Sequence, residues 1–318
     1  MSNAQGESEI MEDYPDTSYS EFRWYTLLTG YRISLPTAYS YALSGSYAAS
    51  FVHGLPHGFE PDVATLELNR FCKENIMAVT STRPETNVHE VADGIYRIST
   101  SIQIEGAGGF SFNQYLILDD EPLIFHTGPR KMFPLVREAV ASVLPVERLR
   151  YIAFSHVEAD ECGALNEWLA VAPQSVPLCS TVAAMVSIND LADRAPRPIS
   201  DGESITLGTH TVRWIDTPHL PHAWDCGFLT EERTSTLLCG DLFTQGGADR
   251  PPLTESDILG PSESFRHKMD YYSHTKNGRA LVEKLASTEP KTLACMHGSA
   301  WRGDGAALLR ALADSLSE

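Results

Sequence analysis

The sequence predicts an α/β fold of packed layers with a functional site at the ends of its strands. Three observations indicate this fold: β-type segments alternate with segments of helical spacing, polar loops follow the strands, and 42% of the residues are hydrophobic. The chain of 318 residues is long for one ordinary domain, but it fits one large α/β sandwich with an extension.

The N-terminal part of the chain differs from the remainder. Residues 1–20 are polar and acidic and are typical of a disordered tail. Residues 21–85 contain aromatic residues without clear periodicity, so we interpret them as an irregular arm with one or two helices. The α/β pattern begins at Thr86, and residues 86–318 are expected to form the functional domain.

Strands and helices then alternate along the chain. The predicted strands are short apolar runs bounded by turn residues. They are Gly94–Thr100, Phe112–Leu118, Pro122–Phe125, Leu149–Phe154, Thr211–Ile215, Cys226–Leu229, Thr236–Leu238 and Thr292–Cys295. Helical spacing of apolar residues predicts the helices, which are Met132–Val143, Ala164–Val171, Asn277–Ala286 and Ala306–Leu316. No internal repeat is apparent.

Composition argues against several classes of protein. With 24 Lys and Arg against 42 Asp and Glu, the formal charge is −18, so nucleic acid is a poor partner for this surface. The 6 cysteines form no C-x-x-C pair, which argues against a cysteine-ligated zinc knuckle. Because we find neither a signal peptide nor a membrane-spanning run, we expect a cytoplasmic protein with reduced thiols and no membrane partner.

The strongest chemical signal is the segment H-V-E-A-D-E-C-G, which follows the predicted strand that ends at Phe154. Its residues His156, Glu158 and Asp160 alternate, so in an extended segment their side chains point to one side, and Glu161 adds a fourth potential metal ligand. The glycine that ends the segment lets the chain turn tightly into the next helix. The alternative is a polar loop in which Asp160 or Glu161 serves the helix N-terminus.

Three further predicted strands are each followed by a histidine or a carboxylate. His219 and His222 lie in a proline-rich loop, Asp241 follows a short apolar strand, and His297 ends the last strand before a glycine. The carboxyl ends of strands are where side chains can converge on a cation. Together with the segment that begins at His156, these residues predict a metal site.

The order of these motifs resembles the metallo-β-lactamase fold, and specifically its di-iron branch. Hydrolytic members generally begin with H-x-H-x-D-H, whereas flavodiiron proteins carry H-x-E-x-D-H, and Glu158 matches the flavodiiron pattern. The resemblance spans Asn87 to the C-terminus and includes F-N-Q-Y-L-I, the H-T-G turn that begins at His126 and the tandem Tyr271-Tyr272. It implies an αββα four-layer sandwich with an irregular N-terminal extension.

The resemblance assigns six ligands to two metal ions. One ion would be bound by His156, Glu158 and His222, the second by Asp160 and His297, and both would be bridged by Asp241. Glu161 departs from the pattern, because flavodiiron proteins have a histidine there. It could bind the second metal, leave a position to water, or cap the following helix. The D-E-C-G version looks like the oxygen-binding di-iron proteins that lack a flavin domain.

Other residues are candidates for supporting roles. His126 stands where this fold usually has an acid that orients the ligand loop, and its alternative role is that of a satisfied, semi-buried histidine. His219 is interpreted as a supporting or gating residue rather than a ligand. Tyr271 and Trp224 could form a wall of the metal pocket, although aromatic residues at such positions are more often part of a core.

The donor set leads to the functional hypotheses. Imidazoles and carboxylates without a thiolate favour iron, with manganese or zinc as alternatives. We expect two iron ions, and no FMN domain because only 21 residues follow His297. The first hypothesis is a di-iron oxygen-binding protein, for O2 sensing or for reduction of O2 or NO with an external electron donor. The alternative is a di-metal hydrolase that uses a metal-bound hydroxide, and a third is a scaffold with a vestigial site. A redox or signalling partner is implied, and a homodimer is left open.

Overall fold

The structure is a computed structural model. It describes residues 23–26, 32–35, 86–104 and 108–316. The chain divides into two compact units, 1–76 and 77–318. In the first unit, β1 (Arg23–Thr26) pairs antiparallel with β2 (Arg32–Leu35). The predicted tail and the helices predicted in the arm lie outside the described residues, so these boundaries stay predictions.

The second unit contains two sheets of seven strands. The first has the order β3-β4-β5-β6-β7-β8-β9, with antiparallel pairs up to β6 and parallel pairs from β6 onward. Its strands are β3 (Thr86–Ala92), β4 (Ile95–Ile104), β5 (Gly108–Ile117), β6 (Leu123–Phe125), β7 (Tyr151–Ala153), β8 (Val176–Ser180) and β9 (Arg197–Ile199).

The second sheet has the order β10-β11-β12-β13-β15-β16-β14. Its strands are β10 (Ser204–Thr206), β11 (Thr211–Asp216), β12 (Gly227–Glu231), β13 (Thr236–Leu238), β14 (Leu253–Thr254), β15 (Thr292–Ala294) and β16 (Ala300–Arg302). β13 and β15 are parallel, and β11 runs in the same direction because β12 is antiparallel to both of its neighbours β11 and β13. β11, β13 and β15 therefore run in the same direction, and their carboxyl ends lie at the same end of the second sheet.

Helices connect the strands. The α-helices are α1 (Phe133–Ala141), α2 (Ala159–Cys162), α3 (Leu165–Val171), α4 (Thr181–Ala183), α5 (Asn189–Leu191), α6 (Leu259–Met269), α7 (Gly278–Ala286) and α8 (Gly305–Ser315). A π-helical turn (Ala184–Ile188) joins α4 to α5, and 3-10 turns occur at Arg130–Met132 and Val146–Arg148. Among the described residues, no helix has the length and apolar character needed to cross a bilayer.

The apolar side chains form three buried clusters that define the layers. Ile124 of β6 packs with Trp168 of α3 in a cluster between the first sheet and its helices. Phe125, the next residue, packs with Trp214 of the second sheet, because successive side chains of a strand point to opposite faces. A third cluster joins the second sheet to α7 and α8 and includes Leu293. This layer order confirms the predicted αββα sandwich.

The elements predicted within residues 94–316 are all present with small differences at their ends. The strand predicted over Leu149–Phe154, for example, is β7 (Tyr151–Ala153), which is buried throughout. The segments after β7, β11, β13 and β15 carry the predicted metal ligands. The fold therefore brings the four motifs to neighbouring strand ends, as the sequence predicts.

Candidate metal centre

A first group of potential metal ligands combines His156, Glu158, His222 and Asp241, with one ligand atom of each within 4.8 Å of the others. The Glu158 Oε2 atom lies 3.1 Å from His156 Nε2 and 2.9 Å from His222 Nε2. The Asp241 Oδ2 atom lies 3.7 Å and 3.5 Å from the same two nitrogens. Two imidazoles and two carboxylates thus share one small volume.

A second group combines Asp160, Glu161 and His297, again within 4.8 Å of one another. The His297 Nε2 atom lies 3.4 Å from Asp160 Oδ2 and 3.2 Å from Asp241 Oδ1. Asp241 therefore directs one carboxylate oxygen to each group. This is the placement that the family resemblance implies for a bridging ligand.

The local backbone explains why Asp160 and Glu161 belong to the second group. Glu158 is extended, with φ −144° and ψ 166°, and α2 then begins at Ala159. The predicted extended alternation through Asp160 is therefore wrong, because the helical turn directs Asp160 and Glu161 away from Glu158. Gly163 has a helical φ of −63° rather than a left-handed turn. It is needed for space, since a Cβ would lie 2.1 Å from the Ala159 carbonyl oxygen.

Hydrogen bonds at the outer ring nitrogens orient two of the histidines. His297 Nδ1 donates to the Ser111 carbonyl oxygen over 2.8 Å, and His156 Nδ1 lies 2.9 Å from Ser155 Oγ. Both bonds leave Nε2 to face the site, which is the arrangement found for metal-ligating histidines. Gly298 follows His297 with a φ of +90°, a left-handed conformation that favours glycine.

His126 is linked to this centre through Ser155. Its Nε2 atom lies 3.0 Å from Ser155 Oγ, which in turn contacts His156. Burial lowers the pKa of His126 to about 3, so the ring is neutral. The hydrogen bond of His126 therefore runs to a serine hydroxyl that also contacts the candidate ligand His156.

We expect Ser155→Ala to weaken binding of the metal held by His156 by about 10- to 100-fold, the usual effect of removing a hydrogen bond behind a ligand. The change frees the His156 ring and leaves His126 Nε2 without its partner. Competition with a chromogenic chelator measures the affinity. Ser175→Ala is the matched control. Ser175 is also buried, but its hydroxyl donates to the Ala172 carbonyl oxygen and not to a histidine. Equal metal affinities for the two variants would contradict the role of Ser155 in linking His126 to His156.

The charges of the two groups stabilise one another. Burial, the largest single effect, tends to raise the pKa of Asp160 and of Asp241, but several polar and charged partners, led by the His297 imidazole, together lower both. Burial tends to lower the pKa of His297, yet the two carboxylates raise it to about 10. The pKa of Glu158 falls to about 2 through hydrogen bonds led by that from His156. Without metal, the His297 imidazolium is therefore paired with the Asp160 and Asp241 carboxylates.

Glu161 is the exception to this pairing. Its side chain is 0% exposed, and neither carboxyl oxygen has a hydrogen-bond partner. Burial, then the charges of Asp241 and Asp160, raises its pKa well above the ordinary value. Asp241 Oδ1 and His222 Nδ1 are also buried without a hydrogen bond. Unbonded buried oxygens are costly, so the Glu161 and Asp241 oxygens and the imidazole–carboxylate set fit hard metal cations.

The first group is open at Glu158 and His222, whereas the second is covered at His297 and 20% exposed at Asp160. The side chains of Glu158 and His222 are 52% and 24% exposed, whereas that of His297 is 6% exposed. Phe110 covers the His297 ring at a centroid distance of 4.4 Å, and Phe112 meets it edge-on at 5.4 Å. Small molecules would therefore enter from the side of Glu158 and His222.

The predicted supporting residues of the later loops fall in different places. The Tyr271 ring lies 6.1 Å from that of His222, and its hydroxyl donates to the Asp241 carbonyl oxygen, so it forms a wall of the centre. Trp224 is 55% exposed and is not part of a core. His219 is exposed, and in the described part of the chain we find no hydrogen bond from its ring. Its supporting role stays a prediction.

Sequence reasoning missed Ser111, Ser155 and Phe110. Ser155 directly precedes the first ligand and could have been considered as a hydrogen-bonding neighbour. Ser111 and Phe110 lie near the start of β5, just before the F-N-Q-Y-L-I motif. Both contact His297, which lies 186 residues after Ser111. Only the folded structure reveals such a pairing.

The chain is similar to one family model and to several curated proteins. The model of a family described as ODP family beta lactamase matches residues 110–298. The rubredoxin-oxygen oxidoreductase of Megalodesulfovibrio gigas is 26% identical over 206 residues, which is 61% of this chain and 50% of that protein. The nitric oxide reductase of Moorella thermoacetica is 25% identical over 217 residues, which is 64% of this chain and 53% of that protein.

Solved structures share the architecture. The crystal structure of the flavodiiron protein from Giardia intestinalis matches with a TM-score of 0.61 at 19% identity, covering 74% of this chain and 60% of that one. The chain spans between 30% and 50% of the length of the curated relatives it matches first. The residues matched by the family model, 110–298, contain both ligand groups.

Proposed function

This chain belongs to the family described as ODP family beta lactamase, and from that premise we propose that it is a di-iron protein that binds O2. The observation that carries the proposal is the position of Asp241, whose two carboxylate oxygens face the imidazoles of both ligand groups. The similarity to an oxygen oxidoreductase and a nitric oxide reductase supports reduction of O2 or NO rather than hydrolysis.

We assign the ligands as follows. One iron would be held by His156, Glu158 and His222, the other by Asp160, Glu161 and His297, and both by Asp241. The absence of a thiolate from the two groups supports iron over structural zinc. When bound, the two ions would supply a pair of redox-active centres for the gas molecule.

The protein groups around the ions have separate tasks. The His126–Ser155 pair orients His156, and the Ser111 carbonyl orients His297. Phe110 excludes water from the second group, so that charges there interact strongly. The open side at the first group gives a small neutral gas a path to the centre.

Reduction of O2 or NO also needs electrons from a donor. We propose a donor protein that approaches the open side near Glu158 and His222, where the exposed fraction of the ligands is largest. The net charge of −18 favours a donor with a basic contact surface. The cysteines among the described residues are free thiols, which supports a reducing cytoplasmic setting. An oxygen sensor would use the same centre without continuous electron supply.

Gas consumption separates this function from hydrolysis. We expect the iron-loaded protein, supplied with a chemical reductant and a redox mediator, to consume O2 or NO at an electrode faster than the mediator alone. Binding of O2 with only one round of consumption would indicate a sensor. Hydrolysis of a chromogenic ester by the protein, with no gas consumed or bound, would show the hydrolase alternative to be correct.

A further inference from the structure

A cavity of about 380 Å³ lies apart from the ligand groups, between β3, β4 and the loop before β14. Its lining includes the basic side chains of Arg97, Arg250 and His89. Polar side chains of the same lining are those of Asn87, Ser99 and Ser101. A volume of this size fits a small metabolite.

Arg97 is the unusual member of this lining. Although its side chain is charged, Arg97 is only 3% exposed. Its Nη2 atom donates to the Gly298 carbonyl oxygen over 2.7 Å. Its Nε atom is buried and has no hydrogen-bond partner. Among the described residues no carboxylate lies within ion-pair distance of Arg97, and burial, only partly offset by Tyr115 and Cys295, lowers its pKa. A buried guanidinium without a carboxylate partner is unfavourable unless an anion is supplied.

Arg250 adds a second positive charge to the cavity. It is half-buried, and its Nε atom donates to the Gly246 carbonyl oxygen over 2.9 Å, so the side chain is held in place by the backbone. The cavity carries one carboxylate, that of the exposed Asp249. Two guanidinium groups against one carboxylate make this a positive site on a chain whose net charge is −18.

We propose that this cavity binds a small anion whose carboxylate or phosphate group lies between Arg97 and Arg250. Planar guanidinium groups bind both kinds of oxyanion through paired, charge-assisted hydrogen bonds. The polar side chains of Asn87 and Ser99 would bind the remaining oxygens of the ligand. The site does not depend on the metal identity or on the reaction assigned above.

The position of Arg97 connects this site to the metal centre. The Gly298 carbonyl oxygen accepts hydrogen bonds from both Arg97 and Asn113, at 2.7 and 2.8 Å. Gly298 directly follows His297, so the turn that presents this ligand is held by the same guanidinium that lines the cavity. An anion in the cavity would therefore contact the support of His297 without touching the metal ions.

Isothermal titration calorimetry of the metal-loaded protein tests the proposal with inorganic phosphate and with succinate as probes, in chloride buffer at constant ionic strength. We expect at least one of the two probes to bind, and Arg250→Gln to weaken that binding by about tenfold or more, as the loss of a charge-assisted hydrogen bond predicts. Binding of phosphate alone or succinate alone would identify the ligand class. Arg213→Gln is the matched control, because it removes the same charge from an exposed pair with Glu232.

Two results would overturn the proposal. The first is the absence of binding of either probe to the unmodified protein. The second is equal binding by Arg250→Gln and Arg213→Gln, which would place the anion at the metal ions or elsewhere. Arg97→Gln provides a further variant, with circular dichroism as the check that it folds. If it folds and binds the probe as tightly as the unmodified protein, the assignment of Arg97 is wrong.

Discussion

Asp241→Asn is expected to lose most of the bound metal from both ligand groups. The Asp241 oxygens lie 3.5 and 3.7 Å from the imidazole nitrogens of one group and 3.2 Å from that of the other. An asparagine keeps the shape but replaces one of the two oxygens by an NH2 group, which cannot bind a cation. Metal content should fall from about two ions per chain to less than about one.

Elemental analysis after gel filtration measures this loss. Glu231→Gln is the control, because Glu231 is an equally buried carboxylate that pairs with His210, at 3.0 Å, away from both ligand groups. Circular dichroism should show that both variants fold. If Asp241→Asn keeps both ions, or if Glu231→Gln loses as much metal, the bridging role of Asp241 is wrong.

Removal of the Glu161 carboxylate should stabilise the metal-free protein but reduce the stabilisation that metal provides. In the metal-free protein its two buried oxygens have no partner, so Glu161→Leu should raise the free energy of unfolding by about 1–3 kcal/mol. In the metal-loaded protein the same change should lower occupancy of the second site and reduce the stabilisation that metal provides. Urea denaturation with and without iron compares the two states.

The raised pKa of Glu161 gives this prediction a pH dependence. The folded protein holds this proton above the ordinary pKa of 4.5, so the folded state binds more protons than the unfolded state in that range. The stability of the metal-free protein should therefore fall as the pH rises from 4.5 through the raised pKa, and less so in Glu161→Gln.

Proton release provides the matching test with metal. If Glu161 binds the second ion, loading at neutral pH displaces its proton, and Glu161→Gln should release about one proton fewer per chain. A pH-indicator titration in weak buffer counts these protons. Unchanged proton release together with full metal content in Glu161→Gln would reduce Glu161 to a structural residue of α2.

The candidate ligands predicted from the sequence converge in the structure, because apolar strands end directly on these histidines and acids. It did not predict that α2 begins between Glu158 and Asp160, since four residues carry too little periodicity to indicate a helix. α6 was also missed, because its sequence L-G-P-S-E-S-F-R-H-K-M buries only Ser262 and so has no apolar face. A helix without an apolar face has no periodic pattern by which the sequence could indicate it.

Contacts between distant parts of the chain lay beyond sequence reasoning for a different reason. Arg97 occupies the strand G-I-Y-R-I-S-T, where an arginine normally points to solvent, yet it lies 3% exposed against Gly298, 201 residues later. The Ser155 hydroxyl joins His126 to His156, and neither histidine indicates the other by its spacing. The first of these contacts depends on the packing of the two sheets, and the second on the parallel pairing of β6 with β7.

The most direct test of the central claim is metal analysis combined with an ultraviolet-visible spectrum of the reduced protein before and after exposure to air. We predict about two iron ions per chain and a new charge-transfer band when oxygen is admitted. Two zinc ions per chain, no change of colour on exposure to air and turnover of a chromogenic ester would contradict the di-iron assignment.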